Sequence, residues 1–142
     1  MRALLDVNVL IALLDADHIL HVIAREWLGA NIAEGWASCA LTQNGCIRVL
    51  SQPNYPNALA PADVATRLRE ATEAPFHHYW SDAPSFLSSS MVDWQFVHGS
   101  TQVTDAYLLG LAVHHGGRLV TFDHSLSRRA VPSASPEHLL LL

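Results

Sequence analysis

Length, composition and charge already limit what kind of protein this is. The chain has 142 residues, of which 50% are hydrophobic and 15% charged, and its formal net charge is −5 at pH 7. This length predicts a single domain over residues 1–142 with enough apolar surface for its own core. All eight basic residues are arginines, which excludes P-loop and Schiff-base sites that need a lysine. The negative charge means that any nucleic acid must be held by a local arginine patch or a metal.

The N-terminal segment and the two cysteines indicate where the protein works. The apolar run at the N-terminus contains Asp6 and Asn8, which argues against a signal peptide or a membrane span. Cys39 and Cys46 are too few for a disulfide scaffold and lack the spacing of a zinc site, so they are predicted to be buried thiols. We therefore expect a cytoplasmic protein with no membrane association.

Strands and helices are predicted to alternate along the chain. In order, the patterns predict a strand at 2–5, a helix around 10–14, a helix at 18–28, a strand at 36–41, a helix from an N-cap at Thr42 to about residue 50, a loop at 51–61, a helix at 62–74, a strand at 76–80, a helix at 85–94, a helix at 104–115, a strand at 118–121 and an edge strand at 139–142. This alternation predicts an α/β fold with a mostly parallel central sheet. Ligands bind at the carboxyl ends of strands in such sheets.

Three aspartates are predicted to meet at that edge. Asp6 directly follows the first strand, Asp105 lies in the first turn of a helix, and Asp123 follows the next strand. That helix is about 18 Å long and the returning strand with its flanks spans roughly 15 Å, so Asp123 should come back close to Asp105. Each aspartate alone would be explained as a cap or turn residue. Their convergence favours a shared site.

Three carboxylates a few ångströms apart repel one another unless a cation lies between them. Carboxylate oxygens with little histidine or thiol nearby suit Mg²⁺, with Mn²⁺ as the other choice. An ion bound there would make water a nucleophile at neutral pH and would neutralise charge growing on a phosphate. The residues therefore predict metal-assisted hydrolysis of a phosphodiester.

Three segments of the chain resemble PIN-domain ribonucleases, specifically the VapC toxins of type II toxin-antitoxin systems. They are LLDVNVLIALL, LTQNGCIRVLSQP and QVTDAYLLGLAVHHGGRLVTFD, and the likeness extends from Arg2 to about Asp123. The resemblance implies a PIN-like α/β/α sandwich, Mg²⁺- or Mn²⁺-dependent cleavage of RNA, a homodimer, and control by a cognate antitoxin. It also implies that Asp6, Asp105 and Asp123 bind the metal. The same likeness gives supporting positions at Asn8, Thr104 and Thr121.

One position departs from the family pattern. The family usually has a glutamate at the start of the third helix, where this chain has Gln43 followed by Asn44. Gln43 is favoured as the equivalent position and Asn44 is the alternative. An amide offers an oxygen but neither charge nor basicity, so the site would bind metal less tightly or use one ion instead of two. A side chain of Gln43 that simply faces solvent is equally compatible with the sequence.

Other polar and aromatic residues are secondary candidates. Arg128 and Arg129 follow Asp123 closely and are predicted to contact an RNA backbone, although a charged pair in a loop is often only solvated. Trp94 is the aromatic residue with the best claim to stack on a base, with core packing as the more common use. Arginines at 48, 67 and 69 could face either water or substrate. His98 is the one histidine expected near the acidic edge.

Two functions from different classes fit these patterns. The first is a VapC-like, metal-dependent endoribonuclease, whose apolar helical surface between Leu10 and Leu28 would contact an antitoxin or a second copy of the chain. The alternative is a catalytically weak or silent PIN-like module that binds RNA or protein, for which Gln43 is the motivating feature. A receiver-type phosphotransfer domain would share the acidic edge but needs the lysine that this chain lacks.

Overall fold

A computed structural model describes residues 1–83, 85–87 and 90–142. The described strands form one parallel sheet with the order β3-β2-β1-β4-β5. They are β1 (Ala3–Leu5), β2 (Trp36–Ser38), β3 (His77–Tyr79), β4 (Arg118–Thr121) and β5 (Leu139–Leu141). The first strand therefore lies at the centre, between the second and the fourth. The predicted parallel sheet is confirmed.

Helices cover both faces of this sheet. They are α1 (Val7–Leu14), α2 (His21–Asn31), α3 (Ala40–Leu50), α4 (Pro61–Thr72) and α5 (Thr101–His114). Leu4 points into a core that contains the leucines of α5, whereas Ala3 and Leu5 point into a second core built with α1, α3 and α4. Alternate residues of one strand thus serve opposite faces. The result is the expected α/β/α sandwich.

No helix in the described part of the chain has the length and apolar character that crossing a bilayer requires. The longest of the five helices, α5, has 14 residues, whereas a membrane-spanning helix needs about 20 apolar residues.

The predicted start of the third helix is wrong. Thr42 was expected to be the N-cap, but α3 begins at Ala40 and Cys39 takes the cap position. The Thr42 hydroxyl instead accepts a hydrogen bond from the Cys39 backbone N–H at 3.0 Å, from the third position of the helix. A hydroxyl at the third helical position can accept from the free backbone N–H of the residue before the helix. In the sequence, this threonine looks the same as a threonine at the N-cap.

The predicted helix over residues 85–94 is also wrong for the residues that the structure describes there, since they form turns followed by a short 3₁₀ helix at Trp94–Phe96. Residues 88 and 89 lie outside the described part. The Asp93 carboxylate accepts a hydrogen bond from the Gln95 backbone N–H at 3.1 Å. Such local side-chain bonds give the backbone an alternative to a regular helix.

Helix α3 lies close to α1 because residue 45 has no side chain. A Cβ atom on Gly45 would lie 2.6 Å from Cγ2 of Val7, well inside van der Waals contact. The first turn of α1 and the middle of α3 can therefore approach each other only with glycine here. This close approach matters for the site described below, because both helices start at the carboxyl edge of the sheet.

We expect Gly45→Ala to lower the free energy of unfolding by up to about 2 kcal/mol. Overpacking costs roughly 1–3 kcal/mol, and the better helix propensity of alanine offsets about 1 kcal/mol of it. Gly29→Ala in α2 is the matched control, because a Cβ at Gly29 meets nothing within 4 Å. That variant should be stabilised by roughly 0.5–1 kcal/mol. Urea titrations of both variants measure the difference, and equal behaviour would show that Val7 simply moves aside.

Candidate active site

Asp6 lies at the carboxyl end of the central strand and is also the N-cap of α1. Its backbone N–H donates to the Val120 carbonyl at 3.0 Å, which continues the pairing of β1 with β4 by one residue. Its Oδ1 accepts a hydrogen bond from the Val7 backbone N–H at 2.6 Å. The side chain is only 4% exposed. The carboxylate is thus held in place from both its strand and its helix.

Thr121 and Asn8 hold the other oxygen of Asp6. The Thr121 hydroxyl, fully buried at the end of β4, donates to Asp6 Oδ2 at 2.6 Å. The Asn8 amide donates to Asp6 Oδ2 and to Thr121 Oγ1, each at 3.0 Å. The Oδ1 of Asn8 accepts from the backbone N–H of Phe122 at 3.2 Å. The strands β1 and β4 are therefore joined by side chains directly beyond the ends of their ladder.

Asp105 lies in the second turn of α5, with its carboxyl group turned towards the other two acids. The side chain is 7% exposed, and its Oδ2 is buried with no hydrogen-bond partner among the described residues. The carboxyl group is within hydrogen-bonding reach of that of Asp123. A buried oxygen that lacks a partner is rare in proteins and calls for an explanation.

Asp123 is the most exposed of the three acids. Its Oδ1 accepts a hydrogen bond from the Ser125 backbone N–H at 2.7 Å, and its own backbone N–H donates to Thr121 Oγ1 at 3.0 Å. The bond from the Ser125 N–H is the main cause that lowers the pKa of Asp123 below its ordinary value. Asp123 is therefore an ionised carboxylate at neutral pH.

The pKa values of the other two acids move the opposite way. Burial, followed by the charges of Asp6 and Asp123, raises the pKa of Asp105 to about 7. Burial also raises the pKa of Asp6, and the hydrogen bonds from Thr121 and Val7 act against that rise. The charges of Asp6 and Asp123 act on Asp105, and the charge of Asp123 acts on Asp6. The three carboxylates therefore lie near one another, as the sequence predicted. Opposed pKa shifts in a cleft are typical of functional sites.

A cleft of about 330 Å³ is lined by Asp6 and Asp105 but not by Asp123. Its lining residues are Asp6, Val7, Asn8, Ile11, Leu41, Asn44, Gly45, Arg48, Thr104 and Asp105. Thr104, predicted to be a supporting residue, is exposed and lines the cleft. Its walls come from the start of α1, from one side of α3 and from the first part of α5, beside the end of β1.

Gln43, the favoured counterpart of the family's glutamate, is not among the residues that line this cleft. Its side-chain amide donates to the Ser38 hydroxyl at 3.0 Å, and that hydroxyl also lies 2.8 Å from Nε2 of His77. Asn44, the alternative, lines the cleft with Asp6 and Asp105. Adjacent residues of a helix point about 100° apart, so only one of the two can face the acids.

The donor set suits a hard divalent ion. Asp105 Oδ2 lacks a partner, and the cleft offers carboxylate and amide oxygens with no thiol. Among the described residues, no three His, Cys, Asp or Glu side chains already stand in a metal-holding arrangement. The Asp105 and Asp123 carboxyl groups are instead turned towards each other. Carboxyl groups facing each other have to share a proton when no cation lies between them.

The remaining candidates lie around the site with partners of their own. The Arg128 guanidinium donates to the Ala134 carbonyl, and that of Arg129 stacks on the Phe96 ring with 4.9 Å to the centroid. Trp94 is 45% exposed and meets Phe86 edge-on. His98 is exposed, and its backbone N–H donates to the Gln102 side chain. None of these residues lines the cleft that holds Asp6 and Asp105.

One contact in the site was not predicted from the sequence, and the orientation of Arg48 was left open between water and substrate. Ser125 contributes a backbone N–H to Asp123, for which a sequence carries no residue-specific signal. Arg48 lines the cleft, and its helical spacing from Leu41 and Asn44 could have shown that the three share a face.

We expect Thr121→Val to lower the free energy of unfolding by about 2–3 kcal/mol, because it leaves Asp6 and Asn8 with unmet buried hydrogen bonds. Thr66→Val in α4 is the control, since its hydroxyl donates to the Ala62 carbonyl on an exposed helix surface. Thermal unfolding of the two variants tests this. A Thr121→Val protein as stable as the control would show that the hydroxyl does not hold the carboxylate.

A parallel α/β sandwich with three acids near the carboxyl edge of its central strands defines a class of protein, and the PIN domain family model matches residues 3–132. The chain therefore belongs to the PIN-domain family. It is 54% identical to Ribonuclease VapC44 of Mycobacterium tuberculosis over 142 residues, covering 100% of this chain and 100% of the relative. Ribonuclease VapC38 of the same organism is 43% identical over 122 residues, covering 85% of this chain and 84% of the relative. Ribonuclease VapC39 is 37% identical over 131 residues, covering 92% and 94%. Within its family the chain is thus similar to VapC ribonucleases.

Proposed function

We propose that this protein is a VapC-like endoribonuclease that uses a divalent ion, Mg²⁺ or Mn²⁺, to hydrolyse RNA phosphodiester bonds. The observation that carries the proposal is the unpartnered, buried Oδ2 of Asp105 beside the carboxyl groups of Asp6 and Asp123. The curated relatives that match at full or nearly full length are named ribonucleases, which supports the substrate class. Asp6, Asp105 and Asp123 are the proposed metal ligands.

Each acid has its own part in this proposal. Asp6 is held rigidly by Thr121, Asn8 and the N-terminus of α1, so its geometry needs no adjustment when substrate arrives. Asp123 brings a carboxylate that is ionised well below neutral pH. Asp105, with a pKa of about 7, loses its proton when positive charge enters the cleft.

A bound Mg²⁺ or Mn²⁺ would supply Lewis acidity for the attacking water and positive charge against the phosphate. Hydrolysis in this manner leaves a 5′-phosphate and a 3′-hydroxyl. A cognate antitoxin as inhibitor, and a homodimer as the assembly, are proposed from the likeness to VapC toxins. An acidic cleft of this kind also suits an inhibitory arginine from the antitoxin, because guanidinium and carboxylate groups pair strongly.

A pool of labelled single-stranded RNA tests the proposal directly. The full-length protein is incubated with this pool in Mg²⁺, in Mn²⁺ or in EDTA, and the 5′ ends of the products are mapped. We expect cleavage that requires the ion and leaves phosphorylated 5′ ends. Asp63→Asn on the exposed start of α4 is the control for the loss of one acid.

A catalytically silent PIN-like module is the second candidate, and one observation favours it. The amide of Gln43 is bound to Ser38 rather than directed into the cleft, so the cleft has one carboxylate fewer than the family pattern. This candidate predicts that RNA binds but stays intact in either metal. Cleavage by wild-type protein and by Asp63→Asn, with none by Asp105→Asn, would exclude it.

A further inference from the structure

The acidic cleft has one cationic side chain in its wall. Asn44 and Gly45 follow Leu41 by three and four residues, and Arg48 follows them by four and three, so the four residues lie on one face of α3. All four line the cleft together with Asp6 and Asp105. The tight contact of Gly45 with Val7 brings this face of α3 against the start of α1. Arg48 therefore reaches the cleft through the same packing that forms it.

The guanidinium of Arg48 is not committed to a protein partner. It is exposed, and in the described ranges its side chain has neither a hydrogen bond nor an ion pair, although it shares the cleft with two carboxyl groups. The arginines at 128 and 129 differ, because the first donates to a backbone carbonyl and the second stacks on Phe96. Arg48 is thus free to bind an anion from outside.

The negative charge of the protein explains why an RNA phosphate would need Arg48. The protein has a net charge of −5, and the acids of the cleft repel phosphates. An ion at the carboxylates would neutralise the phosphate that is cleaved, but the next phosphate along the strand would still face a negative surface. A guanidinium presents a planar fork of donors that matches two phosphate oxygens, so a single arginine can hold and orient one phosphate.

We propose that Arg48 binds a backbone phosphate of the RNA adjacent to the one held against Asp6 and Asp105, and so positions the strand in the cleft. The inference rests on the proposed function for its ligand, and it adds a phosphate subsite formed by α3. Because the contact is to phosphate, it strengthens binding of all sequences alike. Arg48 is therefore a positioning residue for RNA and carries no base specificity.

The test separates binding from cleavage. Fluorescein-labelled single-stranded RNA of mixed sequence is titrated with full-length Asp105→Asn protein, alone and combined with Arg48→Gln, at several salt concentrations. We expect Arg48→Gln to weaken binding roughly 10-fold and to reduce the slope of log K against log salt by about 0.7–1. Arg48→Lys should restore the salt slope and part of the affinity. Arg25→Gln, on the exposed surface of α2, is the matched loss of one charge.

A purely structural role for Arg48 would give a different result. Arg48 lies in the last turn of α3, where a cation also stabilises the helix end. In that case Arg48→Gln would lower the melting temperature and leave RNA affinity and salt slope equal to those of Arg25→Gln, which would overturn the inference.

The inference and the proposed function can fail separately. If wild-type protein cleaves RNA and Arg48→Gln binds and cleaves as well as Arg25→Gln, only the subsite is wrong. If wild-type protein leaves RNA intact but Arg48→Gln still weakens binding and lowers the salt slope, the subsite stands and the nuclease does not. If no variant binds RNA, both are wrong.

Discussion

Asp105→Asn is expected to reduce the rate of RNA cleavage by at least roughly 10²- to 10³-fold, the loss that follows removal of one electrostatic stabiliser from an active site. The amide has the shape of the carboxyl group but cannot carry its charge, and Asp105 Oδ2 is a buried oxygen with no hydrogen-bond partner among the described residues. Single-turnover cleavage of labelled RNA in Mg²⁺ and in Mn²⁺ measures the effect.

Two controls accompany this measurement. Asp63→Asn removes an acid from an exposed helix start and should cleave at the wild-type rate. Circular dichroism and thermal unfolding should show that Asp105→Asn is folded. Metal-dependent cleavage by Asp105→Asn within a few-fold of wild type would remove Asp105 from the metal site.

The stability of the metal-free protein is expected to fall as pH rises from about 4 to about 7. The pKa of Asp105 is about 7 in the folded protein, above its ordinary value of 3.8, so between these values the folded state binds more protons than the unfolded state. Stability is then lost as pH rises, by at most about 4 kcal/mol from this residue. For a chain of this size, such a loss lowers Tm by roughly 10 °C.

The comparison with Asp105→Asn isolates this residue from other titrating groups. His77 acts in the opposite direction, because burial lowers its pKa and so favours folding as pH rises. Thermal unfolding in EDTA from pH 4 to 8 should therefore show a difference between wild type and Asp105→Asn that widens towards pH 7. Parallel profiles for the two proteins would contradict the raised pKa.

A divalent ion should reverse the trend. It binds the ionised carboxylates, so Mg²⁺ or Mn²⁺ should raise the Tm of wild type more at pH 8 than at pH 5. Asp105→Asn should respond much less than wild type, and Asp63→Asn should respond as wild type does. An equal response of Asp105→Asn would place the ion elsewhere on the protein.

Much of the fold follows from local patterns in the sequence. The strand at Arg118–Thr121 was predicted with its observed bounds, because a short apolar run between Gly-Gly and Phe-Asp has few alternatives. The turns at residues 86–87 and 90–91 were not predicted, since the side-chain bond of Asp93 to the backbone competes with a helix and leaves no periodic signal. The start of α3 was misplaced for a related reason: Thr42 bonds to Cys39, but from inside the helix.

The candidate site was likewise predicted only in part. The lengths of α5 and β4 were enough to predict that Asp123 returns to Asp105. The sequence pattern could not decide whether Gln43 or Asn44 faces the acids, because the two are adjacent residues of the same helix. The contact with Ser38 turns Gln43 aside, and Ser38 belongs to a neighbouring strand. Such contacts depend on how the elements pack and not on spacing along the chain.

By itself, the sequence determined the five strands and five helices that the structure describes, the parallel sheet, and the three aspartates near its carboxyl edge, because all of these depend on hydrophobic period and element length. The tertiary structure decided how those aspartates differ. Among the described residues, Asp105 Oδ2 is buried without a hydrogen-bond partner, the Asp6 carboxylate is held by Thr121 of β4 and by the first residues of α1, and Asp123 reaches solvent. Protonation depends on burial and on neighbouring charge, and both of these arise only when distant parts of the chain pack together.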